Sequence, residues 1–243
     1  MVDLASVKNV LNEKNISEVL KMEPVVLDNI YFEADLQSLV NELHVNSFYF
    51  NEFKRLVEQA SAIARPKAVY KKTVLESSGD NYVVVEGAKL NSRVVKVNLK
   101  GISEFFPAIV TCGKELSEWA NSFDDMLINF WANALAEKAM RLAKEALEVH
   151  LKEKYQIEAI AQMNPGSVID WNIQEQRKLF EIIGDVKELI GAELTDSSLI
   201  IPMKSISGIW FPNDTYENCI LCSRECPNRK AVYDPKMYES MYK

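Results

Sequence analysis

Three thiols stand within eight residues, Cys219, Cys222 and Cys226 in CILCSREC, and Pro227 follows directly. The spacing Cys219-x2-Cys222-x3-Cys226-Pro227 matches the last three cysteines and the proline of the bacterial ferredoxin run C-x2-C-x2-C-x3-C-P. The remaining cysteine, Cys112, is the one residue that could add a fourth thiolate through space. Four thiolates suit an iron–sulfur cluster or a structural zinc. A [4Fe–4S] centre on Cys112, Cys219, Cys222 and Cys226 is the favoured expectation, with zinc the alternative. Dithiol redox chemistry at Cys219-x-x-Cys222 is a third reading, and reduced structural cysteines the plainest. Arg224, Arg229 and Lys230 make this tail locally basic, which suits either a solvated face or the steering of an acidic redox partner.

A second constellation lies upstream. Pro165, Gly166 and Ser167 form a turn, Asp170-Trp171 follows, and Lys204-Ser205-Ile206-Ser207-Gly208 lies some forty residues on. Lysine and serine side chains suit contact with a carboxylate or phosphate, although Lys-Ser in a hairpin turn is commonly just solvated. Asp170 could cap the next helix and Trp171 staple it, and Asp170 also stays a site candidate. The two histidines, His44 and His150, read as surface residues. No phosphate-binding P-loop, G-x-G-x-x-G fingerprint, H-E-x-x-H helix or nucleophile elbow occurs.

The elements that must position these residues follow from periodicity. Short helical patterns cover 3–13 and 34–43, and a better helix capped at Asn46 or Ser47 runs until Pro66. AVYKKTVLE, NYVVVEG, SRVVKVNL and PAIVTC read as strands of an antiparallel sheet, with Cys112 ending the last. Residues 124–151 form a long helix with Ile128, Trp131, Leu135, Ala139, Leu142, Ala146 and Val149 inward, and Asn133, Glu137, Arg141 and Lys144 outward. A strand over 155–163 stops at Pro165-Gly166. Gln174–Ile183 and VKELIG are helices closed by Gly184 and Gly191, and SSLIIPM and SISGIWF are strands joined around Met203-Lys204.

The chain has 243 residues, 48% of them apolar, enough to bury a sizeable core. The expectation is one domain over 1–215 with a tail, 216–243, packed on it. A net charge of −7 argues against nucleic acid as a partner. With no leader pattern and no apolar run of membrane-spanning length, a cytoplasmic protein is expected.

The order Pro165-Gly166, helix, Leu194-Thr195-Asp196-Ser197, apolar strand, Lys204-Ser205-Ile206-Ser207-Gly208 resembles the activation domain of vitamin B12-dependent methionine synthase. The Thr111-Cys112-Gly113 turn and the long helix after it fit the same family, and the resemblance covers residues 25–215. It implies an α+β fold with a curved antiparallel sheet flanked by helices. It also implies an accessory protein that docks on a corrinoid (cobalamin) module, where cob(II)alamin is reduced and then remethylated from S-adenosylmethionine. The cobalamin would be carried by the partner, a corrinoid protein or methyltransferase, and Pro165, Gly166, Ser167, Asp170, Lys204, Ser205 and Ser207 would line the docking or ligand cleft. Gln162 and Ser167 stand where that family places an Arg and a Tyr. A neutral amide replaces a charged fork there, so a weaker hold on S-adenosylmethionine is expected. A cluster in the tail would supply the electron itself. The alternatives are a zinc-stabilised docking module without catalysis and an S-adenosylmethionine-binding remethylation partner; a methyltransferase in its own right lacks any substrate-activating constellation.

Overall fold

The computed structural model describes residues 22–216, 218–223, 225, 229 and 231–242. Its centre is a five-stranded sheet in the order β1-β2-β6-β10-β7, formed by Val25–Leu27, Lys67–Tyr70, Phe106–Thr111, Ser205–Pro212 and Ile160–Met163, with β6 in the middle. Every neighbouring pair is antiparallel.

Strand alternation sends two sets of side chains to opposite faces. Ala68, Tyr70, Phe106, Ala108, Val110 and Trp210 meet Ala143, Leu147 and Leu151 of the long helix α5, Met126–Tyr155. On the other face Val69 and Ile109 meet Ile183 of α6 (Gln176–Ile183) and Val186 and Ile190 of α7 (Val186–Ile190), while Ile209 and Phe211 share a core with Leu179 and Ile182. Each fully buried Leu or Ile of these layers contributes about 1.5–3 kcal/mol relative to exposure. The result is the expected α+β sandwich of helices around an antiparallel sheet.

The long helix starts where Asp125 accepts from the amides of Leu127 (2.9 Å) and Ile128 (3.0 Å), and ends at Gln156 in the left-handed region. Its inward stripe differs from the expected one. Trp131, Leu135, Ala139, Ala143, Leu147 and Leu151 are buried and Val149 is exposed. A step of four advances the stripe around a 3.6-residue helix. The first half therefore faces α2 (Phe50–Ile63) and α4 (Lys114–Asn121), and the second half faces the sheet.

SRVVKVNL is a correction: it forms the helix α3, Arg93–Leu99. Its valines favour a strand locally, but Ser92 Oγ accepts from the Val95 amide (3.1 Å), and Asp170 accepts from the Val94 amide (2.9 Å) and Ser92 Oγ (2.5 Å). Caps from near and far outweigh β-propensity there. NYVVVEG instead joins a separate three-stranded sheet of β3 (Ser77–Ser78), β4 (Tyr82–Val85) and β5 (Ala88–Asn91). The strand expected over 155–163 is shorter, since Tyr155 still belongs to α5. Glu193–Leu194 (β8) pairs with Ile200–Ile201 (β9). The helix expected over 3–13 lies outside the described residues.

The segment after β10 returns to the core. Tyr216 and Leu221 are buried with Phe211 and Leu99, and Met237 and Tyr238 of α8 (Pro235–Tyr242) pack on the same cluster. No described helix is long and apolar enough to cross a membrane.

Candidate functional site

The strand β7 pairs with β10 only from Ile209↔Met163 to Pro212↔Ile160. Beyond Met163 the chain leaves the sheet as Asn164-Pro165-Gly166, exposing the edge of β10 over Ser205–Ser207. A cleft of about 630 Å³ opens at this divergence, lined by Pro165 and Ser167 on one side and Ser205, Ile206 and Ser207 on the other. That volume suits a small organic ligand. Helix α5 supplies Met140, Arg141 and Lys144 to the wall, and the loop before β9 supplies Ser198 and Leu199.

Three features fix the geometry at the point of divergence. Asn164 Nδ2 donates to the Ser207 carbonyl (2.8 Å), continuing by side chain the pairing that the backbone has abandoned. At Gly208 a Cβ would fall 2.5 Å from the Met163 carbonyl oxygen and 2.7 Å from Asn164 Nδ2, so only glycine permits this close approach. Gly166, at φ +82°, donates its amide to the Trp171 carbonyl at 2.6 Å and closes the turn.

Sequence reading missed Gln176, the buried polar residue that ties the walls together. Its Oε1 accepts from Ser207 Oγ (3.0 Å), and its Nε2 donates to the Ser198 carbonyl. Arg177 donates to the Thr195 carbonyl (2.9 Å), and Thr195 Oγ1 accepts from the Leu199 amide (3.0 Å). Leu194-Thr195-Asp196-Ser197 is thereby a fastened loop at the cleft mouth. Helix starts are common places for Gln, so nothing local marked Gln176 as buried. The mouth itself is apolar: Leu199 is 58% exposed, Met203 73%, and Ile173 also lies open.

The seven expected cleft residues separate into two groups. Pro165, Ser167, Ser205 and Ser207 line the cleft, with Gly166 shaping its turn. Asp170 turns away to cap α3 as described, so its role is structural. Trp171 is fully buried, and its indole N–H has no partner among the described residues. Lys204 reaches Glu137 on α5 (3.5 Å) instead of the cleft, and Ser205 Oγ donates to Thr111 Oγ1 (2.9 Å). Glu137 also pairs with Arg141 at 2.7 Å. That hydrogen bond from Arg141, against partial burial, holds the Glu137 carboxyl below the usual carboxylate range.

The thiols are divided. Cys112 follows β6 at the end where Thr111 pairs with Ser205, and its amide donates to the Lys204 carbonyl (3.0 Å). It is fully buried among Phe53, Leu116 and Trp131, and burial pushes its thiol up to about 12. Cys219 and Cys222 lie beyond the opposite end of β10, in a turn packed on a different core. Arg229 holds that turn, donating to the carbonyls of Cys219 (3.1 Å) and Cys222 (2.9 Å). Cys112, Cys219 and Cys222 form no three-ligand group, nor does any other such group of Cys, His, Asp and Glu occur among the described residues. The expected fourth thiolate from Cys112 is therefore a correction: a β-strand of eight residues separates the two ends. Cys226 lies outside the described residues. His150 is a further correction, since it is half-buried with Nε2 3.0 Å from Tyr70 Oη.

No family model matches the sequence, and no curated protein matches it. A solved structure does: the MetH reactivation domain bound to AdoHcy aligns with a TM-score of 0.56 at 16% identity, covering 81% of each chain. The chain has a methionine synthase reactivation-domain-like fold. At this identity the likeness is one of architecture, and it agrees with the fold that the Pro-Gly and Lys-Ser-x-Ser-Gly motifs implied.

Proposed function

We propose that this chain is an accessory protein for reductive activation of a corrinoid-dependent methyltransferase such as methionine synthase, docking on the corrinoid module through the mouth of the β7–β10 cleft. The cleft carries the reading. It combines a small-molecule volume, a polar floor of Ser205, Ser207 and Asn164, and an apolar rim of Ile173, Leu199 and Met203. A rim of exposed apolar residues around a polar cleft fits a partner seated over a bound ligand. The similar solved domain holds AdoHcy, which supports an S-adenosyl compound as the ligand here.

The residues fit such a ligand in shape. Gly208 permits the close approach of Met163 and Asn164 beside the cleft, Gly166 shapes its turn, and Gln176 fixes both walls. S-adenosylmethionine, when bound, would supply a methyl group for transfer to the partner's cobalt. This chain's residues would orient it and cover it from water, and the rim would seat the corrinoid protein. The cleft reading does not depend on a [4Fe–4S] centre or a structural zinc, and Cys112, beside Lys204 at the Ser205 end of β10, would not be a ligand together with Cys219 and Cys222.

The test is affinity capture of the tagged full chain from cell extract under anaerobic conditions, read by corrinoid absorbance in the eluate. A corrinoid protein retained by the wild type and lost with Leu199→Asp/Met203→Asp is the expected result. Equal retention by that variant would reject the cleft mouth as the docking face.

A further inference from the structure

The charge of the cleft wall runs against that of the molecule. The chain carries a net charge of −7, yet Arg141 and Lys144 line the cleft, and no Asp or Glu does so among the described residues. The two cations are three residues apart on α5, so they project as neighbours from one face. The neutral amides Gln162, on β7, and Asn164, just past it, line the same cleft.

Each cation is held in place without being neutralised beyond use. Arg141 pairs with Glu137 (2.7 Å) and Lys144 with Glu148 (2.8 Å), both four residues away along the helix. The Arg141 pair is exposed and so weak, and an arginine fork has five donors, so a carboxylate entering the cleft can share the guanidinium; the Lys144 pair is half-buried, and the three donors of its ammonium leave room for a second acceptor. Glu137 also engages Lys204, which divides its charge between two partners.

Resting on the S-adenosyl reading above, we infer that Arg141 and Lys144 form the subsite for the carboxylate of the ligand's amino-acid end, recognised from helix α5 instead of from the strand that carries Gln162. The adenosine end then lies toward Pro165, Ser167 and Ile173. Specificity for a carboxylate-bearing nucleoside over a bare one comes from the helix.

The inference is tested by calorimetric titration of the full chain with S-adenosylhomocysteine and with 5′-methylthioadenosine, which keeps the nucleoside thioether and lacks the carboxylate. Arg141→Gln should weaken the first about tenfold, and Arg141→Gln/Lys144→Gln about a hundredfold, as loss of charge-assisted hydrogen bonds predicts. Binding of 5′-methylthioadenosine should stay within about twofold, and Arg141→Lys should recover part of the loss. Unchanged thermal unfolding of each variant confirms that folding is intact. A double variant that binds S-adenosylhomocysteine like the wild type overturns the inference and leaves the cleft reading standing. Equal loss of both ligands overturns it too, since the cations would then serve the cleft generally. A wild type that binds neither ligand removes the S-adenosyl reading and this inference together.

Discussion

The two ends of strand β10 carry the two constellations, the polar cleft and the thiol turn, that lie on neighbouring stretches of the sequence. At the Ser205 end, β7 diverges, and hydrogen bonds from Asn164 and Gln176 build a cleft around Ser207. Beyond the Pro212 end, the tail turns back onto Leu99 and Phe211, and Arg229 holds the Cys219–Cys222 turn by its carbonyls. The first region keeps polar atoms converging on open space. The second spends its polar contacts on its own backbone. Adjacent motifs in sequence are thus placed apart by one extended strand, at about 3.3 Å per residue.

Substitutions sharpen that contrast, beginning with Gly208. Gly208→Val places a branched side chain against the Met163 carbonyl and should cost about 3 kcal/mol in urea unfolding, by the magnitude of severe overpacking. A neutral outcome would mean that β7 and β10 can part freely.

The thiols should differ by more than about a thousandfold in reactivity with iodoacetamide, because access to Cys112 needs opening of the core at a cost of about 5 kcal/mol or more. Cys219 and Cys222, each half-buried, should react in the native chain, and Cys112 only on unfolding. The pH sense follows from the raised thiol pKa. The folded state keeps Cys112 protonated up to about 12, while the unfolded thiol ionises near 9. Its contribution is complete below pH 9 and is lost as pH rises from there toward 12. Cys112→Ala should flatten the alkaline fall in stability over that window, and an unaltered slope would contradict the assigned burial.

Asp170→Ala removes two hydrogen bonds at the start of α3 and should cost about 2 kcal/mol in unfolding. S-adenosylhomocysteine affinity should stay unchanged, which separates a cap from a cleft ligand.

The smallest effect is expected at Glu137, 40% exposed and held below the ordinary carboxylate range chiefly by Arg141. Glu137→Gln should cost under about 1 kcal/mol at neutral pH after solvent screening. A depressed carboxylate stabilises above its unfolded pKa and loses that contribution as pH falls through its folded value. The difference from wild type should therefore vanish in acid, as melts across the acid range would show.

Local signals made much of this legible. The long helix, β10, and the Gly184 and Gly191 stops follow from periodicity and turn chemistry, and the ordered motifs pointed to the right architecture. What stayed hidden depends on contacts far apart in the chain. Asp170 caps a helix seventy-six residues earlier, which turned a valine-rich apparent strand into α3. Gln176 is buried only because Ser207 and Ser198 converge on it. Arg141 and Lys144 sat on the helix face expected to meet only solvent, and they became a cleft wall once β7 peeled away. Cys112 looked available to the tail because sequence spacing carries no direction along a strand.

Hydrogen exchange of the full chain with and without S-adenosylhomocysteine tests the division most directly. Added ligand should slow exchange at 140–144, 162–176 and 198–208, and leave 216–242 unchanged. Protection confined to the tail, or none anywhere, would contradict the cleft as the functional site.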